Sequence, residues 1–83
     1  MTFKVMLKSV GRVFTAEGAT FDEAVNKIKV SGGIKVSSVL TVENGDTKKE
    51  KILNGRIAHH IFGQGSPTTK EIYLKRVRQM FDI

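Results

Sequence analysis

The last helix predicted from the sequence carries the residues with the clearest chemical potential. From Pro67 to the end of the chain, four cations stand against two acids, Glu71 and Asp82. A terminal helix with such an excess of positive charge favours contact with phosphates or with an acidic protein. The sequence therefore predicts a nucleic-acid-binding surface. Its first members are Lys70, Lys75, Arg76 and Arg78.

A glycine-rich turn, Gly63-Gln64-Gly65-Ser66, stands directly before this helix. Two glycines before a helix N-terminus can expose backbone N–H groups to a phosphate, with the hydroxyls of Thr68 and Thr69 assisting. The turn lacks the Gly-Lys-Ser/Thr ending of a P-loop. A plain helix–helix connection explains the turn more simply. A helix-turn-helix that places the same threonines against DNA is a further alternative.

A second group of cations is predicted on the hairpin that follows Asn44. Lys48, Lys49 and Lys51 lie on its return strand, where lysines protect a sheet edge against unwanted pairing and could also contact phosphates. Lysines on both predicted hairpins would make part of the open face of the sheet positive. Sheets that read RNA also need outward aromatic side chains, and only Phe14 is a candidate here. We therefore expect phosphate contacts, with DNA rather than RNA.

The sequence offers little for catalysis or metal binding. His59 and His60 are adjacent, so on a helix they point about 100° apart and cannot ligate one metal together. Without cysteine there is no disulfide, no Cys-ligated metal and no thiol nucleophile. Asp22 and Glu23 are explained as charges that the first turn of a helix favours. We expect neither an enzyme nor a metal or other cofactor.

The last helix is predicted to face the core with Tyr73, Leu74, Val77, Met80 and Phe81. A second stripe lies away from this core side. Two of its members are isoleucines with no place in the core, so the stripe could contact a protein partner or a second copy of the chain. Isolated exposed isoleucines are also common on protein surfaces, so both interpretations stay open. The stripe consists of Ile72, Arg76, Gln79 and Ile83.

Length and charge set the class of protein. Eighty-three residues predict one small domain, residues 1–83, with a single core. The net charge of +6 favours encounter with a polyanion, although it also serves solubility alone. No apolar run approaches the ~18 residues of a membrane span, and the first residues alternate like a strand and not like a signal peptide. We expect a cytoplasmic protein without membrane contact.

Period-two alternation predicts two β-hairpins. Gly11 allows the turn of the first hairpin. The second is expected to turn over Asn44-Gly45 as a type I′ turn, because both residues tolerate positive φ. A two-residue loop there would set Lys49 opposite Leu40, so a bulge or a longer loop is an alternative. The strands are expected at 3–8, 12–17, 34–43 and 46–53.

Three helices follow from their start and stop signals. Thr20 and Glu23 form a capping box before an apolar stripe, and Ser31-Gly32-Gly33 is expected to end this first helix. Asn54 can cap a short second helix, and Ser66 with Pro67 opens the third. The order predicts an α+β domain, ββαββαα, with an antiparallel sheet packed on one face by helices.

Two segments resemble known proteins. The segment Phe14-Thr15-Ala16-Glu17-Gly18-Ala19-Thr20-Phe21-Asp22-Glu23-Ala24 is similar to the strand-to-helix corner of HicB-like antitoxin domains. The second half of the chain departs from that pattern, so no antitoxin activity is implied. The same segment and the ending Met80-Phe81-Asp82-Ile83 resemble small phage-encoded accessory proteins. No family function is carried over to individual residues, and a phage protein that binds a host or virion component is one form of the alternative function below.

These features together predict a non-enzymatic binding module that engages nucleic acid mostly through phosphates. The alternative is a protein-interaction or assembly factor, for which the isoleucine stripe would matter more than the lysines. An acidic protein partner and a homodimer both remain open at this point.

Overall fold

Seven elements form in the order that the sequence predicts. The computed structural model describes residues 2–83, and all four strands lie in one antiparallel sheet. The predicted α+β class with ββαββαα order is confirmed. The elements are β1 (Phe3–Ser9), β2 (Arg12–Gly18), α1 (Phe21–Asn26), β3 (Ser38–Asn44), β4 (Thr47–Leu53), α2 (Gly55–Phe62) and α3 (Pro67–Met80).

The core forms between the helices and one face of the sheet. The strand order is β2-β1-β3-β4, so β1 and β3 are central. Alternation points Val5 and Leu7 of β1 to the same side as their partners Val42 and Leu40 of β3. All four side chains are buried, at 4% exposure or less. The helices therefore cover this face and complete a two-layer domain.

The first hairpin turns over Val10 and Gly11, because Ser9 pairs with Arg12. Both turn residues have positive φ, 49° and 73°, as a type I′ turn requires. Glycine adopts this conformation freely, whereas a β-branched residue is strained in it. Val10 is also 76% exposed, so packing does little to offset the strain.

The first helix begins as predicted but ends earlier. The Glu23 N–H donates to Thr20 Oγ1 (3.1 Å), and the Ala19 N–H donates to Glu23 Oε2 (2.9 Å), so a capping box forms with Ala19 as the second donor. The Ile28 N–H donates to the Val25 carbonyl (3.1 Å), which tightens the last turn and stops the helix before the glycine pair. Ile28 lies in the loop after α1, and its side chain is nevertheless buried.

The third strand is shorter than the predicted 34–43. It begins at Ser38, which pairs with Leu53 at the end of β4, so residues before it have no β4 partner. Ile34 reaches the core from the loop with 5% exposure, whereas Val36 is 47% exposed. The parity that these two residues share with β3 therefore does not indicate strand.

The second hairpin turns over Gly45 and Asp46, one residue later than predicted. Gly45 has a φ of 62°, and Asp46 is not in the positive-φ region, which is the pattern of a type II′ turn with glycine in its first central position. The loop has two residues, as in the simplest prediction, but it lies one residue later in the chain. This displacement changes which residues of β3 and β4 are paired. Lys49 lies opposite Val42 and not opposite Leu40.

The caps of the two C-terminal helices form as predicted. The Ile57 N–H donates to Asn54 Oδ1 (2.9 Å), and the Thr69 N–H donates to Ser66 Oγ (3.2 Å). Pro67 occupies the start of α3, where its missing N–H costs nothing.

The core side of α3 is narrower than predicted. Leu74, Val77 and Phe81 are buried, but Tyr73 is half-buried and Met80 is 36% exposed. The helix α3 packs on α2, and only the stripe of α3 formed by its buried residues reaches the core.

The helices leave the opposite face of the sheet uncovered, and we call it the outer face. It is not positive as predicted, because three lysines are matched there by three glutamates. Phe14 does not lie on it, since Phe14 pairs with Leu7 on the helix side and packs against the core. The outer face consists of Lys4, Met6, Lys8, Val13, Thr15, Glu17, Val39, Thr41, Glu43, Lys48, Glu50 and Ile52.

Candidate nucleic-acid interface

The four predicted cations of α3 do not form one group. A turn of about 100° per residue places Lys75 and Arg76 near each other on the exposed side, while Lys70 is half-buried nearer the core. Arg78 Nη1 donates to both carboxylate oxygens of Asp22, at 2.8 and 2.7 Å. The charge of Arg78 is therefore balanced where α3 meets α1.

The two threonine hydroxyls at the start of α3 lie in different environments. Thr69 Oγ1 accepts a hydrogen bond from Ser66 Oγ (2.9 Å), so it belongs to the cap of the helix. Thr68 is exposed. A Cβ at Gly65 would stand 2.8 Å from His60 Nδ1, so this glycine is needed for the close approach of α2. The glycine turn thus has a packing role between the two helices.

The three lysines of β4 do not form one patch, because the strand alternates. Lys48 lies on the outer face, 3.7 Å from the Glu43 carboxylate. Lys49 points to the helix side and donates through Nζ to the Phe81 carbonyl (3.1 Å), which fixes the end of α3. Lys51, also on the helix side, is exposed.

The isoleucine stripe of α3 is broken at its end. Ile72 is 60% exposed, and Arg76 and Gln79 are exposed with it. The helix ends at Met80, and Asp82 has a φ of 58°, so the chain leaves the helical path before Ile83. The predicted spacing therefore does not apply to Ile83, which lines a small cavity of about 170 Å³ beside β4 and the start of β1.

An open cleft of about 740 Å³ brings together basic residues that are distant in sequence. Lys35 comes from the loop before β3, Arg56 from the first turn of α2, and His59 and His60 from the same helix. A Cβ at Gly55 would lie 3.1 Å from the Lys35 backbone, so the loop and the helix start pack closely. The cleft combines two permanent cations with two imidazoles.

His59 is held in one orientation. The Ile34 N–H donates to His59 Nδ1 (3.3 Å), so Nδ1 is the acceptor and Nε2 carries the proton of the neutral ring. A Cβ at Gly33 would stand 2.8 Å from the imidazole, and Gly33 also has a φ of 78°. Glycine is needed there both for the space and for the backbone conformation. The positioned ring leaves Nε2–H as a donor.

A stacked array continues from the cleft to the outer side of α3. The His60 ring lies parallel to the Tyr73 ring, with 4.8 Å between centroids and 3° between planes. The Arg76 guanidinium lies 5.7 Å from the centre of the same tyrosine ring. Cleft, rings and arginine therefore form one contiguous surface, which we call the basic strip. Its members are Lys35, Arg56, His59, His60, Tyr73 and Arg76.

The basic strip lies on the side of the molecule that holds the net charge. Charges on the outer face cancel, so the whole formal charge of +6 belongs to the helical side and the sheet edges. Of the strip, sequence reasoning proposed only Arg76 as a site residue. It missed Lys35, Arg56 and Tyr73 because they come from three separate segments. The one local signal was the pair of glycines, Gly32 and Gly33, beside Lys35.

Neither a metal site nor a membrane span is found in residues 2–83. No group of three His, Asp or Glu side chains there could hold a metal ion. Within the same residues, no helix has the length and apolar character to cross a bilayer.

Comparison with protein families, with curated proteins and with solved structures found no match to this chain.

Proposed function

We propose that this chain is a non-enzymatic module that binds nucleic acid through its helical side, chiefly by phosphate contacts. The observation that carries the proposal is the basic strip, in which cations adjoin stacked rings. Proteins that hold single strands without sequence preference combine a positive groove with aromatic and arginine stacking surfaces. We propose DNA as the ligand, because the outer face lacks the aromatic side chains of sheets that read RNA.

Each part of the basic strip has a role in the proposal. Arg56 and Lys35 bind phosphate oxygens at the cleft, since a guanidinium offers paired donors and an ammonium a point charge. His59 adds its Nε2–H as a neutral donor. The Arg76 guanidinium, which lies over the Tyr73 ring, provides a flat surface on which a base can stack. Further phosphate contacts fall to Lys75, Thr68 and Lys51, which are exposed on the helical side.

The proposal predicts a strong salt dependence. Each phosphate neutralised on a single strand contributes about −0.7 to the slope of log K against log salt. Four contacts would give a slope of about −3. Fluorescence anisotropy with labelled single-stranded and duplex DNA at several salt concentrations measures this slope. Absence of binding to both ligands at low salt would refute the proposal.

A matched pair of variants locates the surface. Arg56→Gln removes a cation from the cleft, and Lys8→Gln removes one from the outer face. We expect Arg56→Gln to weaken DNA binding about five- to tenfold. The slope of log K against log salt should become less steep by about 0.7, the value of one phosphate contact. Lys8→Gln should leave both values close to those of the wild type. Equal losses in the two variants would indicate binding without a defined surface.

A second candidate function is favoured by Ile72. Its side chain is 60% exposed beside Arg76, which suits an interface with an acidic protein. A small phage protein that binds a host or virion component is the form of this candidate that the sequence resemblance suggests. Ile72→Ser, which removes the apolar side chain without adding a charge beside Arg76, should then lower partner capture while DNA affinity stays the same. Loss of DNA affinity alone would count against it. We propose a cytoplasmic location for either candidate.

A further inference from the structure

The outer face has a row of charges that alternate in sign from one strand to the next. Glu17 of β2 pairs with Lys4 of β1, Lys4 with Glu43 of β3, and Glu43 with Lys48 of β4. Read across the sheet, the row is negative, positive, negative, positive. Reversing the order of the strands inverts every sign, so the row is complementary to its own reversed copy.

We propose that the outer face pairs with the outer face of a second copy of this chain. A two-fold axis parallel to the strands, between β1 and β3, places β2 over β4 of the second copy and β1 over its β3. Glu17 then faces Lys48 of the second copy, and Lys4 faces its Glu43. All four positions of the row meet the opposite charge, and the two-fold axis repeats each pair.

A second row supplies an apolar contact at the two edges of the sheet under the same symmetry. Val13, Lys8, Val39 and Ile52 lie across the sheet at the other end of the outer face. The two-fold axis brings Val13 over Ile52 of the second copy at both edges. Their side chains are 57% and 70% exposed, so pairing would remove apolar surface that the monomer leaves in water.

The size of the face sets the strength of the dimer. Four strands about 4.8 Å apart and seven residues at about 3.3 Å each give a face of roughly 19 by 23 Å, about 400 Å². A standard stable interface buries about 800 Å² on each partner. We therefore expect a weak, reversible dimer. Sheet-on-sheet pairing would keep both helical sides exposed and pointing in opposite directions.

The first measurement is sedimentation equilibrium of the full chain from about 5 to 500 µM, a range suited to an interface of this size. The wild type should pass from monomer to dimer within this range. A monomer throughout would overturn the proposal, whatever the outcome of the DNA measurements.

Charge reversal then tests the pairing itself. In Lys4→Glu the two facing positions are both acidic, and in Glu43→Lys both are basic, so each variant alone should raise the dimer dissociation constant at least about tenfold. An equal mixture of the two variants should dimerise again, because each position then meets the opposite charge. Failure of the mixture to dimerise would contradict the proposed axis.

Two further variants keep the result decisive. Lys51→Glu changes charge on the helix side of the exposed edge strand β4 and should leave the dimer unchanged. A dimer sensitive to Lys51→Glu and not to Lys4→Glu would indicate edge-to-edge pairing and overturn the proposal. Ile52→Asp tests the contact between Ile52 and Val13 of the second copy. It also provides a test if a charge-reversal variant does not fold. Its dimer should be lost, and a dimer as strong as that of the wild type would contradict the proposal.

Discussion

The two sides of the sheet in this domain differ in charge: the outer face is neutral and the helical side is positive. The outer face balances three lysines with three glutamates and exposes Val13 and Ile52 at its edges. The helical side and the edges carry the entire net charge and gather Lys35, Arg56 and Arg76 around stacked rings. Net charge alone therefore says little about where a polyanion would bind. Strand register and helix packing decide it, and the following predictions test the difference between the two sides.

The largest difference between the two sides is expected in the loss of stability when a side chain is truncated. Phe81 is 1% exposed and lies 6.3 Å from Phe21, centroid to centroid. We expect Phe81→Ala to lower the free energy of unfolding by about 3–5 kcal/mol. Ile52→Ala on the outer face, 70% exposed, should change it by less than about 0.5 kcal/mol. Urea denaturation measures both, and similar costs would contradict the assignment of the two faces.

Two neighbouring glycines offer the next test, which is confined to the basic strip. Gly32 and Gly33 have φ of 84° and 78°, but only a Cβ at Gly33 would meet the His59 ring. Gly32→Ala should cost about 1 kcal/mol of backbone strain. Gly33→Ala should lower the free energy of unfolding by about 2 kcal/mol, because it also pushes away the His59 ring that accepts a hydrogen bond from the Ile34 N–H.

The same pair should differ in DNA binding. Gly33→Ala moves His59 and should weaken the complex, whereas Gly32→Ala should bind as the wild type does. Anisotropy titrations on folded protein, checked by circular dichroism, give the comparison. Equal affinities would show that the position of His59 is immaterial to binding.

Relief of strain at the first hairpin should stabilise the sheet. Val10 has a φ of 49°, which asparagine tolerates better than a β-branched residue. We expect Val10→Asn to raise the free energy of unfolding by about 1 kcal/mol. Val13→Asn, a matched change within β2, should give no such gain. If the two substitutions have the same effect in thermal unfolding, strain at Val10 is not the cause.

The smallest effect is expected for the ion pair between α1 and α3. Arg78 and Asp22 are partly solvent-exposed, at 27% and 40%, so their coupling should be about 0.5 kcal/mol. A double-mutant cycle with Arg78→Ala and Asp22→Ala isolates this energy. Strong dependence of the coupling on salt is expected. A coupling near zero would show that this ion pair does not help to dock α3.

Local signals predicted the elements of the fold well. Caps at Thr20, Asn54 and Ser66 act within a few residues, so the sequence alone indicates where helices begin. Element ends were less predictable. Ile34 has the parity of β3 but lies in a loop, and only its neighbours in space show that no strand partner is available.

The candidate site was much harder to predict than the fold. A basic helix is visible in the sequence, and Lys75 and Arg76 do lie on its exposed side. The contacts of Arg78 with Asp22 and of Lys49 with the Phe81 carbonyl are between distant residues and have no local pattern. The basic strip joins the loop before β3, the start of α2 and the middle of α3. Such a surface exists only after these elements pack.

The most direct test of the central claim is a residue-resolved NMR titration of the protein with a short single-stranded DNA at low salt. Binding at the basic strip predicts amide shift changes around Lys35, Arg56 to His60 and Tyr73 to Arg76, which disappear as salt is raised. The amides of Lys4, Lys8 and Lys48 should not change. Shift changes centred on the outer face, or none at any site, would contradict the account.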